Sequence, residues 1–404
     1  MNITPLLSRE HALQGLACAL SRRLEYRAKR NYALDVPTTT LLSPFIRRRV
    51  LEEDEVLRAV LHDVGWNEVE KLVQEIVWRT YWKGWLEINP DVWSYYVSSL
   101  PGILERCTAE VAKGIDAVTQ GTTSIACIND WSRELSSTGY LHNHKRMWFA
   151  SIWIFTLKLP WELGAKFFLE RLLDGDPASN TLSWRWVAGL QTKGKRYLAT
   201  PENIAKFSHN KWDILPGTLA SEGREHPIFL DEVTRSARTS QREVSYTATD
   251  QKTALLIHAE DLRPETLPIE FSKVSGVIIY RNTSMLNHQP SQLIVEAFAS
   301  ALDDVSLRIQ SLLPGVPIIE TDNFAAVDDF IGRYEIQRII VPALFQGFLR
   351  DDLKEAFKLI RLKGIVVQEV EREYDTEFHP LARKGFFPFW EAAKKRVRRR
   401  YSNF

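Results

Sequence analysis

Between positions 8 and 207 the apolar residues recur at helical spacing. Val69, Leu72, Val73 and Ile76 stand at i, i+3, i+4 and i+7, the buried stripe of an amphipathic helix. That stripe predicts a helix over residues 67–88. Ser43-Pro44 reads as an N-cap followed by proline at the first helical position, and predicts a helix through FIRRRVLEEDEVLRAVLHD. Further helices are expected over residues 140–158, ending before Pro160, and over 161–172. Few segments alternate with period two, so this half reads as all-α. Residues 208–251 are polar and rich in Gly, Pro, Ser and Thr, the composition of a linker. Beyond them, short apolar runs at 254–258, 276–280, 316–319, 338–341 and 365–370 alternate with helical stretches at 289–313, 324–334 and 349–362. Strand–helix alternation predicts a doubly wound, mostly parallel, Rossmann-like α/β domain. The expected organisation is an all-α domain over 1–207, a linker over 208–251 and an α/β domain over 252–404.

Charge changes this picture little. The 404 residues carry 52 basic and 51 acidic side chains, a net charge of +1, so affinity for an anion must come from a local patch. One such patch is the end of the chain, where residues 383–400 hold eight basic residues against Glu391. It reads either as a solvated terminal helix or as a set of phosphate contacts, each steepening the log–log salt dependence by roughly 0.9. Cys18, Cys107 and Cys127 are too widely spaced for a disulfide framework or a zinc site. The longest apolar stretch, residues 148–157, is short of the ~20 residues that span a bilayer. Residues 1–10 have no basic n-region and apolar h-region. A cytoplasmic protein, probing no membrane, is expected. Neither GxGxxG nor GxxxxGK[ST] occurs. Tryptophan is unevenly spread: 12 of 13 lie in the first 212 residues.

Four constellations carry chemistry. Glu75, Trp78, Arg79 and Trp82 share one helical stripe, a carboxylate and a guanidinium between indoles, suited to a flat polar ligand or simply to aromatic packing with a local ion pair. Asn143, Arg146, Met147 and Ala150 share a face in TGYLHNHKRMWFAS; His142 and His144 point apart at i, i+2, so no metal is expected. Asp174 and Asp176 flank Gly175 ahead of a helix with Trp184 and Trp186, where they complement the helix dipole, pair with Arg146 or polarise a ring nitrogen. The hydroxyls of residues 38–44, TTTLLSP, are caps or phosphate ligands.

Taken in order, the TGxLHNxxRM run, the LLDGDPASN run and the following WxW resemble the flavin-binding helical domain of the DNA photolyase and cryptochrome family, over about residues 11–207. The resemblance implies FAD held inside the all-α domain. It implies flavin contacts from Tyr26, Thr39, Thr40, Leu42, Ser43, Arg79, Asn143, Arg146, Asp174, Asp176 and Asn180, with Arg146 and Asp174 paired beside the ring, Asp176 facing it and Asn180 near N5. Leu41 and the loop before Thr39 depart from the family pattern. Glu75, Trp78, Asn143, Met147 and Trp186 match the residues that grip a flipped-out cyclobutane pyrimidine dimer. Extruding it costs a few kcal/mol, and aromatic walls return about 1–3 kcal/mol per stacked base.

The resemblance also gives Glu75 and Asn180 direct parts in repair, and makes Trp184 and Trp161 the first two members of a tryptophan wire. The third falls near Thr108, with Trp131, Trp148 or Trp153 as substitutes. TALLIHAEDLRP and GFFPFWEAAKKR resemble the opening and closing segments of the family's antenna domain, here after the flavin domain, as in a circular permutation. The implied activity is blue-light-driven, FAD-dependent repair of pyrimidine dimers in DNA by a photolyase that is a monomer, with the presence and identity of a second antenna chromophore left open. The alternatives are a cryptochrome-like photoreceptor with a signalling protein partner, and a helical DNA-binding module without flavin. Lys193, Lys195 and Arg196 are placed at the lesion rim.

Overall fold

A computed structural model describes residues 6–192, 195–223, 246–281 and 290–402. The first half is helical: α1 (Arg9–Ser21), α2 (Tyr26–Lys29), α3 (Ser43–Arg47), α4 (Glu53–Leu61), α5 (Trp66–Ile88), α6 (Pro90–Glu105), α7 (Ala109–Gln120), α8 (Ala126–Thr138), α9 (Asn143–Ser151), α10 (Trp161–Arg171), α11 (Pro177–Val187) and α12 (Pro201–Phe207). The second half runs β1 (Thr253–Ile257), β2 (Val274–Tyr280), α13 (Gln292–Leu312), β3 (Ile318–Thr321), α14 (Phe324–Tyr334), β4 (Arg338–Pro342), α15 (Phe348–Leu362), β5 (Val366–Val370), α16 (Glu373–Phe378) and α17 (Phe386–Arg400). All-α followed by α/β is therefore the architecture. The sheet is parallel throughout, in the order β3-β2-β1-β4-β5. Every residue of β1 and β4 is buried, because helices cover both faces of a parallel sheet. The five apolar runs are the five strands.

Two helices differ from their expected extent. The helix opening at Ser43 stops at Arg47; Arg49 adopts φ 50°, and helix resumes only at Glu53. A left-handed, non-glycine residue costs about 1–2 kcal/mol. The ion pairs of Arg49 with Asp375 (2.6 Å) and Asp261 (3.4 Å) in the second half offset that cost. Residues 140–158 are likewise not one α-helix. His142 caps α9, which widens after Ser151 into a π-turn, Ile152–Thr156. The wider turn sets Trp153 edge-on to Trp184, centroids 6.1 Å apart.

The linker expectation falls partly on residues 224–245, outside the described residues. Before them, Trp212 and Leu219 are buried, and the Trp212 indole donates to Asp130 (2.8 Å). That stretch packs on the helical half.

The two halves meet along α5. Trp66 stacks on Trp390, Trp78 on Phe386, and Tyr81 packs on Phe389. Gly84 is required here: a Cβ would lie 2.8 Å from the backbone of His379. The basic end of the chain forms α17 and is largely engaged on the protein. Lys394 pairs with Glu70, Arg400 with Asp54, Glu373 and Glu377, Arg399 with Glu377, and Arg398 lies over Trp66 at 4.6 Å.

Candidate flavin and substrate site

The candidate residues come from α2, α5, α9 and α11 and the segment before α3. α5 packs on α2 and α11, and α11 also packs on α9. Asp176 starts α11 as its N-cap, accepting from the Ser179 amide at 2.8 Å, with Pro177 at N1. Its other oxygen faces Arg79 (3.4 Å) and Arg47 (3.7 Å). Burial by itself would raise this carboxyl, but Arg79, Arg47 and Lys83 outweigh it and hold the pKa far below the usual carboxylate range.

Arg146 and Asp174 are joined at 2.9 Å. Arg146 also donates to the Leu141 carbonyl (2.8 Å) and lies over the Tyr140 ring. One Asp174 oxygen takes the guanidinium; the other is buried and has no hydrogen-bond partner among the described residues. The Asn180 amide donates to the Ala165 carbonyl (2.9 Å). On the same helix the Thr181 hydroxyl and the Trp184 indole N–H are buried without partners. Thr39 exchanges a hydrogen bond with Tyr140 (2.8 Å), and Thr40 accepts from the Leu42 amide (3.5 Å). Leu42 is buried and Ser43 half-buried at the start of α3. Tyr26 is half-buried; burial, with Glu75 adding, raises its hydroxyl pKa.

The candidate substrate residues are more open. Glu75 pairs with Arg30, and burial still raises its pKa despite that partner. Asn143 is exposed, its amide 3.8 Å from the Met147 sulfur one turn on. Trp186 stacks on Tyr197 at 5.6 Å. One face of Trp78 is covered by Phe386, 3.3 Å away and nearly parallel. Of the indoles considered for electron transfer, Trp161 lies against Tyr96 (5.8 Å), and Trp131 and Trp148 stack on each other (5.7 Å). Only Trp153 of the three substitutes contacts Trp184 among the described residues. Thr108 caps α7. Lys193 lies outside the described residues, Lys195 is exposed, and Arg196 donates to the Gly223 carbonyl (2.7 Å).

Two features escaped the sequence reading. His142 is a clasp: Nδ1 accepts from the His144 amide (3.1 Å), so Nε2 donates to the Arg30 carbonyl (3.0 Å) and ties α9 to the loop after α2. Burial, then His144 and Lys145, push its pKa down to about 3, so the ring is neutral. The second is the run Arg47-Arg48-Arg49, buried between the halves. Arg47 bonds Glu260 (2.7 Å), Arg48 donates to the Ala259 carbonyl (3.4 Å), and Arg49 reaches Asp261 and Asp375. Three arginines in a row inside an otherwise apolar stretch were the available signal.

Residues 72–213 match the family described as the FAD binding domain of DNA photolyase. A deoxyribodipyrimidine photo-lyase of Agrobacterium fabrum is 32% identical over 160 residues, 38% of this chain and 32% of the relative. Another from Alkalihalophilus pseudofirmus is 26% identical over 193 residues, 47% of this chain and 40% of the relative. A cryptochrome DASH of Idiomarina loihiensis is 28% identical over 41% of this chain and 37% of its own length. The crystal structure of a bacterial class III photolyase from Agrobacterium tumefaciens aligns with a TM-score of 0.44 and 27% identity, covering 50% of this chain and 43% of that one. The chain thus matches between 32% and 43% of the length of these relatives.

The residues present fit a flavin. A buried carboxylate oxygen left without a donor is unfavourable by about 1–3 kcal/mol, and the free oxygen of Asp174 suits a ring N–H. Arg146 and Arg79, beside Asp174 and Asp176, are of the charge that suits a reduced, negatively charged ring. Within the helical half, residues 72–213 are a photolyase-type FAD-binding domain, and through them the chain is similar to DNA photolyases and cryptochromes.

Proposed function

We propose that the chain is a blue-light-driven, FAD-dependent enzyme that splits cyclobutane pyrimidine dimers in DNA. Reduced FAD, when bound, would supply light-driven one-electron chemistry toward the dimer. Tyr26, Thr39, Thr40, Leu42, Ser43, Arg79, Asn143, Arg146, Asp174, Asp176 and Asn180 hold and tune the cofactor. Glu75 hydrogen-bonds the dimer, Asn143 and Met147 line one side, and Trp78 and Trp186 give aromatic walls for a base pair drawn out of the helix. Trp184 and Trp161 would be the indoles that serve electron supply to the cofactor, with Trp153 as a further contact of Trp184. The α/β half is read as the family's antenna domain placed after the flavin domain.

The observation that carries this reading is the Arg146–Asp174 pair, whose buried free oxygen awaits a donor beside α11. The test mixes photoreduced protein with an oligonucleotide bearing one thymine dimer, in blue light and in darkness. Light-dependent loss of the dimer is expected; none from a yellow, photoreducible protein would sink the repair reading. The cryptochrome-like reading is favoured by one contact, the stacking of Phe386 over Trp78, which occupies an aromatic face that a dimer would use.

A further inference from the structure

We propose that Glu260, in the α/β half, is a positioning residue for the flavin site, holding Arg47 against Asp176 and so setting the charge presented to the cofactor. The inference rests on the FAD reading above. Glu260 lies three residues beyond β1 and is itself pinned. The buried ring of His258 accepts the Glu260 amide at Nδ1 (3.2 Å) and therefore donates from Nε2 to the Pro342 carbonyl (3.0 Å). Burial holds that imidazole below its ordinary pKa, so the ring stays neutral and its tautomer fixed. From this fixed backbone, Glu260 Oε1 accepts from Arg47 Nη2 at 2.7 Å, with both side chains under a tenth exposed.

Arg47 passes the constraint on. Its Nε donates to the Gly175 carbonyl (2.8 Å) and stands 3.7 Å from Asp176, whose other flank is Arg79 at 3.4 Å. Lys83, buried nearby with no hydrogen-bond partner at Nζ, adds a third positive charge to the neighbourhood of Asp176 and Glu260. Three cations therefore surround Asp176, and Glu260 is the carboxylate that offsets Arg47. Neutralising Glu260 removes one of the carboxylates that balance that guanidinium and leaves it to Asp176, in a site of low dielectric where charges act strongly. The local potential becomes more positive, and a cofactor that gains negative charge on reduction is favoured in its reduced form.

The experiment is spectroelectrochemical titration of FAD-loaded wild-type, Glu260→Gln and Glu260→Asp proteins, with folding checked by circular dichroism. Glu260→Gln is expected to raise the flavin midpoint potential, shifting the ratio of reduced to oxidised FAD affinity about tenfold, within the range of coupling between sites. Glu260→Asp keeps the charge but shortens the reach, and gives a smaller shift in the same direction. A folded Glu260→Gln protein with the wild-type potential overturns the proposal. Should that variant not fold, an unchanged potential in Glu260→Asp overturns it equally. Wild-type protein that binds no FAD overturns the flavin reading, and this inference with it.

Discussion

Glu75, within α5, and Asp174, just before α11, show how two carboxylates differ in what their neighbours ask of them. Glu75 keeps a quarter of its side chain in solvent and pairs with Arg30, with Lys71 nearby. Glu75→Ala is expected to slow dimer repair about a hundredfold, the scale of losing one positioned electrostatic group, while bound FAD measured by absorbance is unchanged. Asp174 is held differently, with a guanidinium on one oxygen and, among the described residues, no hydrogen-bond partner on the other. Asp174→Asn leaves Arg146 without its counter-charge. Breaking a fully buried pair costs about 3–5 kcal/mol, and because Arg146 is 23% exposed the expected loss is about 2 kcal/mol. Chemical denaturation would read that loss, and released FAD would accompany it. Both positions were readable as carboxylates in motifs; the free oxygen of Asp174 was not, since it depends on which donors surround it.

α11 is the element on which the site turns. Its start is legible in DGDP, an acidic N-cap followed by proline, and its inward face carries Asn180, Thr181 and Trp184. Close packing against α10 is possible because position 164 is glycine: a Cβ there would lie 2.3 Å from the Trp184 ring. The cap residue also gives α11 a pH signature. Asp176 titrates far below an unfolded aspartate, so its contribution to stability is complete above about pH 4, the unfolded value, and is lost as pH falls below it. Asn caps a helix about as well as Asp. Asp176→Asn therefore isolates the charge, and thermal melts of that variant should show a flatter acid limb than the wild type. The breaks at Arg49 and Ser151, by contrast, are set by partners elsewhere, and helical periodicity runs through both without a mark.

At the scale of the molecule, the two halves are joined by a buried lattice of charge. Arg47, Arg49, Arg79 and Arg372 meet Glu53, Asp176, Glu260, Asp261 and Asp375 across it. Lys83 sits inside without a hydrogen-bond partner, over the Phe345 ring at 4.3 Å. Burial, then Arg79 and Arg49, bring its pKa down to about 8 from 10.5. Between those values the folded chain binds fewer protons than the unfolded one, so this group makes stability rise with pH through that window, and its cost is constant below it. Lys83→Met is expected to raise the melting temperature at pH 7 and to abolish the alkaline rise. An unchanged pH profile would show that Lys83 is not the group responsible.

What the sequence by itself determined is what is encoded locally. Helical and strand periodicity report which residues are buried within one element, so the all-α half and the five strands were legible. The TGxLHNxxRM and LLDGDPASN runs were legible because their residues sit within a turn or two of each other. Tertiary structure alone decided which of 52 basic and 51 acidic residues pair. Arg47 and Glu260 are 213 positions apart, and Thr80 and Tyr374 are 294. No periodicity links such positions, because a charge carries no mark of its partner until burial removes the water that would otherwise solvate both.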